Sequence, residues 1–480
     1  MSLRVAFIHP DLGLGGAERL VVDSALGLQR LGHTVHIYTS HHDPDHCFEE
    51  TKTELNVIQV EPPRWLPTSV AGRFHIIFAH ARQLQLTFWL IWQLVLLPWI
   101  SVQKPLEPYD VFFVDQLSTC IPFLRLFTRT RVLFYCHFPD KLLSEGQFAV
   151  SKKKGGLLKR LYRLPMDWLE EATTRQADVI LANSNFTRSI FEQHFASIKT
   201  VPRVVHPGIN IAAYETAEVD TDDKGVKAIS SDRPMLVSLN RFERKKNAVL
   251  ALRAFAALNS FSFRLVLAGG YESRIEDNVQ TLKELVQTCR DKKLTYRIVA
   301  SIPIPEHLQP PDSDLDASVL FILNYTNSQR TYLLRSPQTV ALLYTPQNEH
   351  FGIGPVEAMI CGVPVIAWGS GGPVESVLDD REGEERRTGW LVPSDAGEDA
   401  WIEVLRDKVL ALDSSQRQAL GQRAIERAKK MFGMEAMCSS LQAVLIEAVD
   451  MGKIPIPYGW LVQILLGLTF CGFLVYLKST

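Results

Sequence analysis

Cysteine is scarce in this sequence, and none of it stands in a metal-binding pattern. The seven cysteines are scattered, and no two of them have CxxC spacing. This argues against a zinc site. An odd, sparse set with mostly apolar neighbours is typical of reduced thiols, which we expect on the cytosolic side of a membrane.

An excess of either charge is also missing. Lysine and arginine total 51, and aspartate and glutamate total 53, which gives a formal net charge of −2. A chain so nearly neutral gives no general reason to expect nucleic acid as a partner. With 46% hydrophobic and 22% charged residues, its 480 residues resemble an ordinary globular protein of two or three domains.

The N-terminus lacks the apolar run of a cleavable signal peptide. Arg4 interrupts a short apolar stretch, and His9, Pro10 and Asp11 follow it directly. A signal peptide needs about 7–15 apolar residues in succession. We therefore expect residues 3–9 to form a buried first strand.

Two segments are more apolar than a soluble domain requires. Residues 86–102 contain three tryptophans, among them Trp89 and Trp92. The segment is slightly shorter than the about 20 residues of a membrane span, but tryptophan suits the bilayer interface. We predict that it associates with membrane, with a buried domain helix as the alternative. Residues 458–477 have Gln463 as their only strongly polar side chain and are predicted to span the bilayer or dip into it.

Short apolar runs alternate with amphipathic helical patterns in the first half of the chain. The predicted helices include 17–31 and 186–194, and the predicted strands are 3–9, 34–39, 110–115, 131–136, 178–183 and 201–206. Apolar strands that alternate with helices indicate parallel βαβ units with helices on both faces of the sheet.

A polar stretch at 211–234 reads as a linker, and the same alternation restarts after it. The predicted helices are 247–258, 275–290 and 355–361, and the predicted strands are 235–240, 264–268, 296–301, 318–323, 340–344 and 363–368. We predict two facing, doubly wound α/β domains, 1–210 and 235–432, with a deep cleft between them. A helix at 433–452 is predicted to pack back on the first domain. Ligands of such sheets bind at the carboxyl ends of the strands.

The segment EHFGIGPVEAMICGVPVIA, which begins at Glu349, carries the strongest chemical signal. Glu349 and Glu357 form an E-x7-E pair around two glycines, and Pro355 favours a helix start. Bare glycines let backbone N–H groups approach an anion, and a helix N-terminus supports its charge. We predict Glu357 on the first helical turn near ribose hydroxyls, and Glu349 near a sugar. The donor-binding residues predicted here are Glu349, Phe351, Gly352, Ile353, Gly354 and Glu357.

A second signal is SLNRFERKKN, which follows the first strand of the second half. Arg241 and Lys246 lie five residues apart across a predicted strand-to-helix turn. A planar guanidinium and a mobile ammonium suit two neighbouring phosphates, and they stabilise negative charge as a nucleotide diphosphate leaves. The alternative is a solvated basic turn.

Glycines also follow the first strand, in DLGLGGAERL. Gly15 and Gly16 open onto the helix that begins near Ala17, but the spacing is not the G-x-G-x-x-G of a dinucleotide site. We predict that this loop closes over the donor or acceptor from the opposite domain.

Two further features lie in the first half. His137, in FYCHFPDKLL, follows a strand at its carboxyl end and is predicted to be catalytic or to contact a sugar; a structural histidine is the alternative. A basic stretch suits an anionic membrane surface or a lipid diphosphate, with an exposed basic helix as the alternative. Its residues are Lys152, Lys153, Lys154, Lys159, Arg160 and Arg163.

These motifs resemble the retaining glycosyltransferases of family 4, which have the two-domain GT-B fold. The resemblance covers nearly the whole chain up to residue 449 and rests on the E-x7-E block, the Arg241/Lys246 turn, the GGAE loop and GSGGPVES at 369–376. More narrowly, HPDLGLGGAERLVVD, YCHFPD, NRFERKKN and EHFGIGPVEAM are similar to the eukaryotic α-1,3/1,6-mannosyltransferases of lipid-linked oligosaccharide assembly.

The resemblance implies a donor, an acceptor and a location. The donor is GDP-mannose, and the acceptor is dolichyl-diphosphate chitobiose that carries one mannose. Two mannoses are added in turn at the cytosolic face of the endoplasmic reticulum membrane, where other glycosyltransferases of the same pathway are expected partners. The implied catalytic residues are His137, Glu349, Arg241 and Lys246.

No cofactor is expected, and the chemistry is not expected to need a metal. No Asp-x-Asp pair follows an appropriate strand, and DSDLD at 312–316 lies in a proline-flanked loop. Retention with one candidate carboxylate leaves two mechanisms, front-face attack with the leaving phosphate as base, or double displacement. We favour the first because no second carboxylate is evident. Alternatives for the chain are a family-4 enzyme that uses a UDP-sugar, a non-catalytic membrane subunit, and a nucleotide-sugar epimerase.

Overall fold

The chain forms two α/β halves in a computed structural model that describes residues 1–70, 74–100, 106–145, 157–216, 219–220, 222–258, 262–310 and 316–455. At 100, 143–145 and 157–162 we describe the backbone only. Several predicted features lie outside the described residues: 101–102 of the first apolar segment, 312–315 of DSDLD, residues 458–477, and Lys152, Lys153 and Lys154.

The first half is a parallel sheet with the strand order β3-β2-β1-β4-β5-β6-β7. Its strands are β1 (Arg4–His9), β2 (Thr34–Thr39), β3 (Asn56–Gln59), β4 (Val111–Asp115), β5 (Arg131–Cys136), β6 (Val179–Ala182) and β7 (Arg203–Val204). The central strands β1, β4 and β5 are buried along almost their whole length, as expected of a sheet covered by helices on both faces.

The second half repeats this plan with the order β10-β11-β9-β8-β12-β13-β14. Its strands are β8 (Met235–Leu239), β9 (Arg264–Gly269), β10 (Tyr296–Ala300), β11 (Val319–Leu323), β12 (Thr339–Tyr344), β13 (Val365–Trp368) and β14 (Gly389–Val392). In both sheets the order reverses beside the first strand, and the crevice at such a point is where doubly wound sheets bind ligands.

Helices cover both faces of each sheet. Those of the first half and the linker are α1 (Gly16–Arg30), α2 (Glu50–Thr53), α3 (His75–Ile91), α4 (Leu97–Ile100), α5 (Ile121–Thr128), α6 (Asp140–Glu145), α7 (Leu157–Thr174), α8 (Asn185–His194), α9 (Ala212–Glu215) and α10 (Lys224–Ile229). The others are α11 (Ala248–Ala257), α12 (Glu276–Asp291), α13 (Asn327–Arg335), α14 (Ile353–Ile360), α15 (Pro373–Ser376), α16 (Glu398–Glu403), α17 (Ser414–Phe432) and α18 (Met434–Asp450). Turns of 3₁₀ helix at Arg244–Lys246, Glu306–Leu308 and Asp380–Glu382, and π-helical turns at Trp92–Leu96 and Val404–Val409, complete the set in the described residues.

The last helix, α18, crosses back onto the first half. Its apolar side joins the core around β1 and α1. Gly27 of α1 makes the close contact feasible, because a Cβ there would lie 1.9 Å from Cys438 Sγ. A glycine inside a helix is unfavourable on its own, and here it lets two helices approach.

Helix α3 continues through the π-helical turn into α4 and carries the first apolar segment. One side belongs to the core, where Leu86 and Leu90 are fully buried. The other side exposes Phe88, Trp92 and Leu96, each by nearly half, while Trp99 is 86% exposed. The segment is therefore neither a fully buried helix nor wholly on the surface. Among the described helices, none combines the length and apolarity needed to cross a membrane.

The structure departs from the sequence-based elements in three places. Strands β3 and β14, which lie at sheet edges, were not predicted. The strand expected at 201–206 is only two residues long, Arg203–Val204. Helix α14 begins at Ile353 rather than at Pro355, because Gly352 with a φ of +83° forms its N-cap.

Candidate active site

A cavity of about 510 Å³ opens between the two halves. Asp11, Gln116, His137 and Asp140 line it from the first half, and His350 lines it from the second. All five follow or lie near the carboxyl ends of strands, where both sheets present their loops. The fold thus brings the predicted His137 to the cleft beside the Glu349 segment.

Tyr344, at the end of β12, explains the glycines of the E-x7-E segment. A Cβ on Gly352 would lie 3.0 Å from the tyrosine hydroxyl, and one on Gly354 would lie 3.3 Å from its ring. Burial, and after it the neighbouring Glu349, raises the pKa of Tyr344 well above its ordinary value. The hydroxyl therefore stays protonated and is hydrogen-bonded to Glu349.

Lys246 and Glu349 form a direct ion pair. The Nζ of Lys246 lies 2.6 Å from Glu349 Oε1, and both side chains are mostly buried. Burial alone raises the pKa of Glu349, but the Lys246 ammonium outweighs it and holds that pKa below its ordinary value. The two groups meet because β8 and β12 are neighbours, so the loops after them share one edge of the sheet.

Arg241 is more exposed than Lys246. Its guanidinium lies 2.9 Å from Glu243, and its side chain is 63% exposed. The turn that presents it depends on Gly269 at the end of β9, since a Cβ there would lie 1.8 Å from the Asn240 carbonyl oxygen. Arg241 and Lys246 therefore come from one turn at the carboxyl end of β8, with two carboxylates as partners.

Glu357 lies on the second turn of α14, and the first-turn position predicted for it is wrong. The helix starts two residues earlier than Pro355, so Glu357 is its fifth residue. Its Oε1 accepts a hydrogen bond from the Tyr214 hydroxyl and another from Arg330 at 3.2 Å. These contacts fix the carboxylate against α9 and α13 and leave Oε2 for a further partner.

The remaining residues of the loop differ in their surroundings. The ring of Phe351 is buried between His206 and Phe432, with centroid distances of 5.6 Å to each. Only the backbone of Phe351 is left to approach a donor. Ile353 is half-buried against the second-half core at the start of α14.

Gly15 and Gly16 begin α1 beside the cavity, which Ala17 lines. A Cβ on Gly15 would lie 2.2 Å from a carboxylate oxygen of Glu18, while the Cβ position of Gly16 is open within 4 Å. The first glycine therefore makes room for Glu18, and the second leaves the backbone accessible from the cleft.

His137 belongs to a buried polar group that sequence reasoning missed. Its Nε2 lies 3.1 Å from Asp115 Oδ2, and the other oxygen of Asp115 lies 2.8 Å from His9 Nδ1. Asn183 donates to the His137 carbonyl at 3.0 Å. Asp115 is the last residue of β4, and His137 directly follows β5. The position of Asp115 at the carboxyl end of a strand was therefore a signal that it belongs to the site.

Contacts between the halves surround the cleft. The rings of Phe138 and His350 stack with centroids 3.9 Å apart, and Ser184 donates to the His350 carbonyl. Burial lowers the pKa of His350 to about 4 against the opposing charge of Glu349, so this imidazole is neutral near pH 7. Sequence reasoning did not single out His350, although it directly follows Glu349.

Glu375, in the GGPVES segment, forms a second contact across the halves. Its carboxylate accepts hydrogen bonds from Asn185 at 2.9 Å and from the backbone N–H of Phe186 at 3.1 Å, and His206 Nε2 lies 2.9 Å away. This residue was also missed, because nothing in the sequence links 375 to 185.

The residues predicted to meet acceptor or membrane fall into two groups. Trp89 is half-buried near Tyr38, with ring centroids 6.4 Å apart, whereas Trp92 is exposed. Lys159 and Arg160 lie on α7, where only the backbone is described. Arg163 is not a solvated surface cation as predicted, because it is buried and paired with Asp140 at 3.0 Å and Asp167 at 2.7 Å.

Two protein-family models match parts of this chain. Glycosyltransferase Family 4 matches residues 14–213, and Glycosyl transferases group 1 matches residues 313–427. The first match lies on the N-terminal half, and the second contains the glycine loop and Glu349.

Curated relatives match over most of their length. The α-1,3/1,6-mannosyltransferase ALG2 of Rhizomucor pusillus is 45% identical over 457 residues, which covers 93% of this chain and 92% of that protein. The protein of the same description from Saccharomyces cerevisiae is 38% identical over 486 residues, with 98% and 89% covered.

Solved structures share the fold. Sucrose-phosphate synthase from Thermosynechococcus elongatus superposes with a TM-score of 0.67 at 18% identity, covering 94% of this chain and all of that one. WaaG, a glycosyltransferase involved in lipopolysaccharide biosynthesis, gives a TM-score of 0.56 at 15% identity, covering 92% of this chain and 99% of that one. The predicted GT-B arrangement of two doubly wound domains is confirmed.

Proposed function

This chain belongs to the family of α-1,3/1,6-mannosyltransferases, and from that premise we propose that it transfers mannose from GDP-mannose to a dolichyl-diphosphate-linked Man-GlcNAc2 acceptor. It adds one mannose in α-1,3 and one in α-1,6 linkage and retains the configuration at the anomeric carbon. The observation that carries this proposal is the Lys246–Glu349 pair beside the glycine loop, next to His350, which lines the cavity together with His137.

The donor's diphosphate is held by cations and backbone N–H groups. Lys246 and Arg241 supply the positive charge, and the N-terminus of α14 after Gly352 supplies further donors. The same groups stabilise the charge that develops as GDP leaves, which is where such contacts accelerate a reaction most. Glu357 keeps Oε2 for the ribose hydroxyls.

Retention follows from attack on the face that the diphosphate leaves. The bond between mannose C1 and the β-phosphate oxygen breaks, and a bond from the acceptor hydroxyl oxygen to C1 forms on the same face. The hydroxyl proton passes to the leaving phosphate. Glu349 is held by Lys246 and Tyr344, so we assign it to binding and orientation rather than to a covalent intermediate.

We place the acceptor in the cavity of the first half, next to a surface that suits a lipid. We name as the apolar face the exposed side chains of the α3–α4 segment: Phe88, Trp92, Leu96 and Trp99. Exposed Phe127 of α5 and exposed Leu164 and Trp168 of α7 lie on helices of the same half. Exposed aromatic and aliphatic side chains of this kind bind bilayer interfaces. We accordingly propose the cytosolic face of the endoplasmic reticulum membrane as the site of action.

The test is transfer by the full chain in detergent or vesicles. The purified protein is incubated with synthetic lipid-linked Man-GlcNAc2 and either GDP-mannose or UDP-glucose, with and without excess EDTA. We expect transfer from GDP-mannose only, products sensitive to α-1,3- and α-1,6-specific mannosidases, and activity that persists in EDTA, because Arg241 and Lys246 meet the phosphate charge.

Three results would contradict parts of this proposal separately. Transfer from UDP-glucose alone would overturn the donor. Loss of activity in EDTA that manganese restores would overturn the proposal that Arg241 and Lys246 bind the phosphates without a metal. No transfer at all by a folded protein, set against a positive control enzyme, would overturn the activity itself.

A further inference from the structure

Asp115 is a buried carboxylate that bridges two histidines at the edge of the cleft. Its side chain is 1% exposed; one oxygen lies 2.8 Å from His9 Nδ1, and the other lies 3.1 Å from His137 Nε2. A charge buried this deeply is costly unless it is paired. The partner on the cleft side, His137, lines the cavity and is 22% exposed, so the bridge runs from the interior to the reaction site.

His9 carries the positive charge that balances this carboxylate. It is fully buried, and its second nitrogen, Nε2, lies 3.7 Å from Glu18 Oε1 at the start of α1. Burial alone lowers the pKa of His9, but Asp115 and then Glu18 outweigh burial and raise that pKa to about 10. Nδ1 lies within hydrogen-bond distance of Asp115, whereas Nε2 faces Glu18 at a distance too long for a hydrogen bond.

This arrangement fixes the tautomer of His137. An ionised carboxylate only accepts hydrogen bonds, so the nitrogen that faces Asp115 must carry a proton. That nitrogen is Nε2. A neutral imidazole that is protonated on Nε2 has its free lone pair on Nδ1.

We propose that Asp115 and His9 are positioning residues, which hold His137 as the neutral Nε2–H tautomer so that Nδ1 accepts a hydrogen bond from a sugar hydroxyl in the cleft. The inference deepens the proposed function and rests on it for the identity of the sugar. The backbone of His137 is fixed from the other side by Asn183, so the carboxylate has to set only the ring. Asp115 and His9 act through His137 and do not touch the substrate.

The tautomer is measured directly on the wild-type full chain. In protein labelled with ¹⁵N-histidine, long-range ¹H–¹⁵N spectra near pH 7 distinguish neutral tautomers from the cation, and His137→Gln identifies the signal. We expect His137 protonated on Nε2 only, and His9, identified by His9→Gln, protonated on both nitrogens. A cationic His137, or one protonated on Nδ1, overturns the proposal without any use of turnover.

Substitution gives a second readout. Asp115→Asn replaces an obligate acceptor with an amide that can donate to Nε2, which favours the opposite tautomer of His137. We expect kcat to fall by about 10-fold, the order expected when one hydrogen bond to the sugar is lost, with the KM for GDP-mannose little changed and the ¹⁵N pattern of His137 altered. A normal kcat in a folded Asp115→Asn protein contradicts the proposal.

A matched control separates positioning from folding. Asp178 is equally buried and paired, with Arg131 at 2.7 Å, but it lies at the amino end of β6, away from the cavity. Asp178→Asn should lower the melting temperature and leave kcat and the His137 signal unchanged. The double variant Asp115→Asn, His137→Gln should be no slower than His137→Gln alone, because both changes remove one function; additive losses contradict the proposal.

The result is independent of the proposed activity. If wild-type protein transfers no mannose, the proposed function fails while the tautomer measurement still stands. If transfer is normal and His137 is cationic, the positioning role fails and the proposed function remains.

Discussion

At the scale of single residues, the two cations that we propose for binding the donor diphosphate already have carboxylate partners. Lys246 is paired with Glu349, and Arg241 is paired with Glu243. A diphosphate must exchange with these carboxylates to bind. The exchange is easier at the exposed Arg241 than at the mostly buried Lys246. We therefore expect Lys246 to contribute more to the chemical step than to binding of the donor.

The first prediction concerns Lys246. Lys246→Ala should lower kcat by about 100- to 1000-fold, since the lost ammonium acts mainly as the leaving group departs. The control is Lys245→Ala, because Lys245 lies in the same turn, is half exposed and pairs with Glu243. Steady-state rates with GDP-mannose should change far less in the control. Equal losses in both variants would show that Lys246 has no specific role at the diphosphate.

A second prediction at this scale concerns acid stability. Burial lowers the pKa of His80, which bonds to Thr119, from 6.5 to about 4. The unfolded chain thus binds more protons between these values, so the free energy of unfolding should fall as the pH drops from about 6.5 to about 4. His80→Gln should flatten this slope in urea titrations, whereas the exposed His46→Gln should not. An unchanged slope in the His80 variant would exclude the effect.

At the scale of elements, the α3–α4 segment divides its tryptophans. Trp89 faces the core side near Tyr38, and Trp92 and Trp99 belong to the apolar face. The periodicity of the sequence shows an apolar run but not which side the sheet covers. Trp89 and Trp92 were therefore both assigned to membrane or acceptor. The structure separates the two sides of the helix.

The third prediction uses this division. Trp92→Ser, Leu96→Ser and Trp99→Ser together should weaken flotation with liposomes that contain anionic lipid and leave the melting temperature nearly unchanged, because these side chains are exposed. Trp89→Ser should instead destabilise the fold. If the triple variant floats as well as wild type in a chain truncated at 455, the apolar face is not a membrane surface.

Much of the element pattern was predictable, and the reasons for the misses are physical. Central strands such as Arg131–Cys136 are continuous apolar runs and were placed correctly. Edge strands such as Asn56–Gln59 are half-buried and polar, so their pattern is weak. Helix α14 begins before Pro355 because Gly352 adopts a positive φ. The sequence favoured a later start, since proline itself is common at the beginning of a helix.

At the scale of the whole molecule, contacts between side chains that are distant in sequence could not be predicted from the sequence. His137 and Glu349 were found because each stands in a local motif at a strand end. Asp115, His9 and Glu375 act through partners that are distant in sequence, and a single sequence gives no spacing rule for such pairs. For α18, packing on the first half was predicted, but the close approach to α1 at Gly27 was not.

The fourth prediction tests how the halves are held together. Glu375→Ala removes the acceptor of the bonds from Asn185 and Phe186 and the partner of His206. Hydrogen bonds to a charged group contribute about 1.5–3 kcal/mol each, so the variant should show a larger radius of gyration by X-ray scattering and a higher KM for GDP-mannose. Glu382→Ala, an exposed residue paired with Arg386, is the control. Identical scattering from both variants would show that Glu375 does not hold the two halves together.

We propose that one site, with Lys246 in the second half and His137 in the first, makes both linkages with retention. The most direct measurement is NMR of the glycan released after exhaustive reaction of the lipid-linked acceptor with GDP-mannose. We predict two new α-anomeric mannose signals, one 1,3-linked and one 1,6-linked, both lost together in Lys246→Ala. A β-anomeric signal, or one linkage that survives undiminished in Lys246→Ala, would contradict it.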